Sequence, residues 1–145
     1  GQAAGMDVLI ETHGDFVESR LMRELISQVE CPAVGVLWDT HHPWRFLGEK
    51  IAETFERLRP WVRHTHFKDS VTESRVVDDE VVKIAAEQAH SLMSGHRHAD
   101  YVLFGDGEFP TAECLRLLRE SGYTGWLSLE WEKMWHPQIE DPETG

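Results

Sequence analysis

Four metal-competent side chains occupy equivalent positions along this chain. Glu11 in "LIETHG", Asp39 in "LWDTHH", His66 in "HTHFKD" and Glu130 in "LSLEWE" each fall at or near the C-terminal end of a run of strand-like residues. Three carboxylates and one imidazole make a mixed oxygen and nitrogen donor set. Such a set suits a borderline-hard divalent cation such as Mn²⁺ (the expected ion), Mg²⁺ or Co²⁺, with Zn²⁺ a further alternative. No cysteine joins it, which disfavours a structural zinc site. Taken singly, each carboxylate also reads as a helix N-cap or a solvated loop residue, and His66 as a satisfied core histidine. Repetition over four successive strands carries the cation reading.

The same geometry nominates neighbours. In "VRHTHFKD", His64, His66 and Lys68 alternate, so their side chains leave one face of a strand, with His64 a layer deeper than His66. Lys68 is expected at the rim, where an ammonium polarises a carbonyl or stabilises an oxyanion. His42, three residues past Asp39, is placed to touch a substrate oxygen or the ion. His13, two past Glu11, shares that residue's face. These three, His13, His42 and Lys68, are the expected substrate-binding residues. His41, His90 and His136 read as surface or packing residues, and "HRH" at 96–98 as a loop rather than a second metal clip. Trp38, Trp126 and Trp131 read as packing residues beside the ligands, with one of them a candidate wall for a sugar pocket.

Strands and helices must alternate to bring such residues together. "MDVLIET" (6–12), "AVGVLWD" (33–39), "WVRHTHFK" (61–68) and "GWLSLEW" (125–131) are strand-like. Between the first two, "DFVESRLMRELISQVE" has helical spacing, with Asp15 and Glu18 in a capping-box pattern. One helix carrying Leu47, Ile51, Phe55 and Leu58 is expected to end before Pro60, and another to span about 111–121, closed by Gly122. Residues 70–100 read as an inserted segment with a helix near 78–93 and a polar turn "SGHRHAD". "GQAAG" reads as the last turn of a helix closed by Gly5. That opening suggests a chain cut from something longer. Alternation of this kind calls for parallel strands covered by helices: a small doubly wound sheet or half of an eight-stranded barrel. No glycine-rich fingerprint supports a dinucleotide site.

Composition sets outer limits. The 145 residues are 41% hydrophobic, as in a globular domain, and carry 26 acidic against 14 basic residues for a net charge of −12. That excess repels phosphate backbones, so nucleic acid is not an expected partner. No apolar run has the length of a membrane span. Cys31 and Cys114, without CxxC spacing, read as buried small hydrophobes in a reducing, cytoplasmic setting.

These residues resemble the xylose isomerase-like TIM barrels, the sugar phosphate isomerases and epimerases. "VLIETHGDF" resembles the family's fifth strand, "VGVLWDTHH" the sixth with its Asp-x-x-His pattern, and "VRHTHFKD" the seventh with His-x-Lys-Asp. "GDGEFPTAECLRLLRESGYTGWLSLEWE" resembles the closing loop, helix and eighth strand, and "WHPQIEDPE" the stretch before the final helix. The resemblance covers nearly the whole chain. It implies one partial domain over 1–145: strands five to eight of a (βα)₈ barrel, with outer helices and the final helix absent. It further implies Glu11, Asp39, His66 and Glu130 as ligands and Glu11 with Glu130 as the acid/base pair. The implied reaction is isomerisation or epimerisation of a sugar or sugar phosphate through an enediolate, with a dehydratase of the same fold, or a silent sugar-binding or interaction domain, as alternatives. A half barrel leaves strand edges open. The expected partner is therefore a missing N-terminal half-barrel or a second half-barrel chain.

Overall fold

β-Branched and aromatic runs form the strands. In the computed structural model, which describes residues 2–72, 99–134, 136–137, 139–141 and 143, the chain divides into two compact units. The first comprises residues 1–67 and 110–128; the second comprises 68–109 and 129–145.

The first unit is built on four strands: β1 (Val8–Glu11), β2 (Val34–Asp39), β3 (Val62–Phe67) and all but the last residue of β6 (Trp126–Leu129), in the order β1-β2-β3-β6. β1 runs parallel to β2 and β2 to β3. Successive side chains leave opposite faces of these strands, with a register shift between β2 and β3 at Val36 and Leu37. Val36 and Trp38 are fully buried, and Trp38 stacks on Phe55 at 5.4 Å between ring centroids. Phe55 belongs to α3 (Ile51–Leu58), whose Ile51, Thr54, Phe55 and Leu58 form one buried stripe at helical spacing. α1 (Ser19–Ile26) buries Met22 and Ile26 and packs on α3, and α3 packs on α4 (Thr111–Glu120), which buries Cys114 and Leu118. Glu11, Leu37, Asp39, His64 and His66 alternate onto the other face. Gly35 keeps the start of β2 open, since a Cβ there would stand 2.9 Å from the Trp61 carbonyl and 3.0 Å from the Arg63 side chain. Arg63 reaches over it to Asp7 at 2.7 Å.

Three local expectations are corrected. The capping box at Asp15 and Glu18 is not made: Gly14–Phe16 forms a 3-10 turn, and the helix starts only at Ser19. Ser19 N–H donates instead to Glu49 Oε1 at 3.0 Å, a carboxylate from 30 residues away, while Glu18 pairs with Arg20. The helix following β2 is two helices, α2 (His41–Leu47) and α3. The chain breaks at Gly48, whose φ of +67° is the left-handed conformation that ends helices. Leu47 consequently leaves the buried stripe and is exposed. Trp126 does not pack either; it is 74% exposed.

In the second unit, β4 (Asp69–Val71) pairs antiparallel with β5 (Asp100–Val102). Tyr101, Val102, Phe109 and Ile139 are buried in it. Asp69 is buried in it and accepts backbone N–H bonds from Ser70, Gly105, Gly107 and Phe109 at 2.8–3.0 Å. A Cβ on Gly107 would collide with Asp69 Oδ1 and the Ser70 carbonyl, so "GDG" is a loop wrapped on a carboxylate. Asp69→Ala leaves those donors without their acceptor and is expected to cost about 3 kcal/mol or more in urea unfolding. The helix expected near 78–93, the turn at 94–100 apart from its last two residues, His90 and "HRH" at 96–98 lie outside the described residues.

The two thiols differ in setting. Burial pushes Cys114 up to about 12; the Glu113 charge adds to the rise and a hydrogen bond with Thr40 opposes it. Cys31 is only half-buried. At roughly pH 8 a thiol reagent is therefore expected to label Cys31 in the native protein, and Cys114 only after denaturation, since the thiolate is the reactive form. Equal labelling rates in native protein would contradict this burial.

Candidate metal centre

The parallel register sets the ends of β2 and β3 level, with β1 ending two residues earlier. Glu11 pairs with Leu37 across β1 and β2, and Asp39 with His66 across β2 and β3. Glu11 and Asp39 are each followed by a threonine that ties its strand to the next. Thr12 Oγ1 donates to the Asp39 carbonyl at 3.0 Å, and Thr40 Oγ1 donates to the His66 carbonyl at 2.9 Å. Both threonines are fully buried, so the backbones beneath Glu11, Asp39 and His66 are pinned to one another.

Glu11, Asp39 and His66 each offer one ligand atom, and these atoms lie within 4.8 Å of one another. His66 Nδ1 is 3.0 Å from Glu11 Oε1. Asp39 is fully buried; its Oδ1 accepts the His41 N–H at 2.9 Å and the His42 N–H at 2.8 Å at the start of α2. Its Oδ2 is 3.4 Å from His42 Nδ1. One carboxylate oxygen thus starts the helix while the other faces imidazole. The donor chemistry of the three residues, two carboxylates and an imidazole, fits a borderline-hard divalent cation.

The expected neighbours are distributed as follows. His13 and His42 meet at 4.6 Å between ring centroids. His64 lies beside His66 at 5.5 Å, edge to face, and its Nε2 is 2.7 Å from Ser128 Oγ. Burial holds the His64 imidazole below its ordinary value, the His66 charge adds to that and Glu11 opposes it. Local pattern gave no reason to single out His41. It is fully buried, and with Asp39 and His42 it forms a second group of ligand atoms within 4.8 Å.

Glu130 and Lys68 belong to the second unit. Lys68 does not extend to a rim. Its side chain is 2% exposed, with Nζ 2.6 Å from Glu130 Oε2 and 2.7 Å from Glu132 Oε1. Buried among carboxylates, the ammonium serves charge balance rather than display. His136 is buried against Tyr101 at 4.7 Å, in keeping with a packing role.

Comparison with known proteins fixes the family. The pattern defining the xylose isomerase-like TIM barrels matches residues 1–145. The chain belongs to that family. An inosose dehydratase of Yersinia enterocolitica is 32% identical over 141 residues, 95% of this chain and 44% of the relative. A 3-dehydroshikimate dehydratase of Bacillus anthracis is 36% identical over 66 residues, 44% of this chain and 23% of the relative. The crystal structure of a probable 3-DHS dehydratase from the same organism superposes with a TM-score of 0.65 at 25% identity, covering 90% of this chain and 44% of that one. The chain thus spans less than half the length of the inosose dehydratase it matches. Its parallel strands and outer helices correspond to part of a TIM barrel. No described helix is long and apolar enough to cross a membrane.

Proposed function

We propose that the protein contributes the metal-binding half of a divalent-cation-dependent dehydratase site acting on a cyclic keto-polyol. This replaces isomerisation or epimerisation as the leading reading. The observation that carries it is the inosose dehydratase likeness across 95% of the chain, joined to the cluster of Glu11, Asp39 and His66 at the strand ends. Inosose and 3-dehydroshikimate are both six-membered rings with a hydroxyl on the carbon β to a ketone. Loss of water from such a ring needs only proton transfers and a polarised carbonyl.

Asp39, His66, Glu11 and Glu130 are the proposed ligands, Mn²⁺ the proposed ion. When bound, the ion withdraws electron density from the ketone and acidifies the adjacent C–H. Glu11 and Glu130 are the proposed acid/base pair. One carboxylate removes the α-proton, the C–H electrons form the new C=C bond, and the β C–O bond breaks as the other delivers a proton to the leaving hydroxyl. His42 and His13 orient ring hydroxyls. Lys68 acts through Glu130 and does not itself meet the substrate. A ring without a phosphate group, rather than a sugar phosphate, suits a chain of net charge −12. The complementary strands of the barrel, from the same polypeptide or from a second half-barrel chain, are proposed to close the pocket.

Incubation with inosose or 3-dehydroshikimate and Mn²⁺ in D₂O, followed by mass spectrometry, separates the readings. A product lighter by one water supports dehydration. A product of substrate composition carrying solvent deuterium would return the reading to epimerisation or isomerisation.

A further inference from the structure

We infer that Glu132, through Lys68, keeps Glu130 negative enough to hold a cation, making it a positioning residue. The inference rests on the proposed ligand role of Glu130. Lys68 Nζ stands almost equidistant from two carboxylates, 2.6 Å from Glu130 Oε2 and 2.7 Å from Glu132 Oε1. Their side-chain exposures differ: 35% for Glu130 against 5% for Glu132. The ammonium donates a hydrogen bond to the buried carboxylate and lies 5.9 Å from the centroid of the Tyr101 ring, itself against His136.

Charge arithmetic gives the consequence. A buried ammonium facing Glu130 alone would form a neutral pair, and a neutralised carboxylate is a poor ligand for a divalent ion. With Glu132 present, the three groups carry a net charge of about −1. That surplus is expressed at the more exposed member, Glu130, while Glu132 absorbs the ammonium from the buried side. The pattern "EWE" supplies both carboxylates two residues apart. Glu132 is set by the 3-10 turn Glu132–Met134, with the His136 N–H donating to its carbonyl at 2.9 Å.

Mn²⁺ titration, read by the electron spin resonance of free Mn²⁺, tests this on wild type, E132Q, K68M and K68M/E132Q. E132Q is expected to weaken Mn²⁺ binding about tenfold, because the full Lys68 charge then falls on Glu130. K68M/E132Q, which removes both charges, is expected to return to within about threefold of wild type. K68M alone is expected to tighten binding, and it decides the matter if E132Q fails to fold. Wild-type binding with E132Q unchanged, with K68M unchanged, or with the double variant as weak as E132Q overturns the role of Glu132 while leaving the metal reading in place. No Mn²⁺ binding by the wild type removes both.

Discussion

Asp39→Asn is expected to weaken divalent-cation binding severely while leaving stability nearly unchanged, and Asp39→Ala to lose both binding and stability. The distinction follows from the two oxygens. Asp39 Oδ1 accepts the His41 and His42 N–H bonds at 2.9 and 2.8 Å, and an asparagine carbonyl accepts them equally well. The second oxygen becomes an NH₂ group, which has no lone pair for an ion. Mn²⁺ affinity should fall by about two orders of magnitude or more in the asparagine variant, with the thermal midpoint little changed. Alanine removes the acceptor as well and leaves buried N–H groups unmet, an added cost of about 2 kcal/mol. Calorimetric titration and thermal unfolding of both variants read the two effects separately. Undiminished Mn²⁺ binding by Asp39→Asn would take Asp39 out of the ligand set.

Glu11→Gln is expected to cost about three orders of magnitude in turnover of the keto-polyol, the range for losing a proton-transfer group that also ligates the ion. Glu11 is partly exposed and 3.0 Å from His66 Nδ1, so it is open to solvent on one side and held by imidazole on the other. Glutamine keeps the shape but can neither take a proton nor neutralise the cation. Glu11→Asp keeps the charge on a shorter arm and should recover part of the rate. Single-turnover mass spectrometry at saturating Mn²⁺ distinguishes lost chemistry from lost ion. A Glu11→Gln variant turning over within a few-fold of wild type would remove Glu11 from the proton path.

Much of this arrangement was legible in the sequence because its information is periodic. Short apolar runs mark β1 and β2 and alternation marks β3, and a strand end fixes where the next polar side chain points. The strand pattern therefore groups Glu11, Asp39 and His66, whose ligand atoms lie within 4.8 Å of one another. The alternation stopped being informative where distant residues decide local structure. Asp15 and Glu18 have a capping-box spacing, yet Glu49 takes the N–H at Ser19. Leu47 has core spacing, yet Gly48 turns the chain before the stripe can continue. Lys68 looked like a rim residue because its partners, Glu130 and Glu132, lie more than 60 residues away and no local pattern announces them. Asp69 is illegible for the same reason: three of its four donors sit in a glycine loop 36 to 40 residues on. The reaction was least legible, since isomerisation, epimerisation and dehydration all begin with removal of a proton beside a carbonyl.

Anomalous diffraction at the manganese edge, from crystals of the protein grown with Mn²⁺, locates the ion itself. A single strong peak within bonding distance of a Glu11 oxygen, Asp39 Oδ2 and a His66 nitrogen is the expected result, at about 2.0–2.3 Å from each. A peak bound elsewhere, or none at saturating Mn²⁺, would show that these strand ends do not form a metal centre.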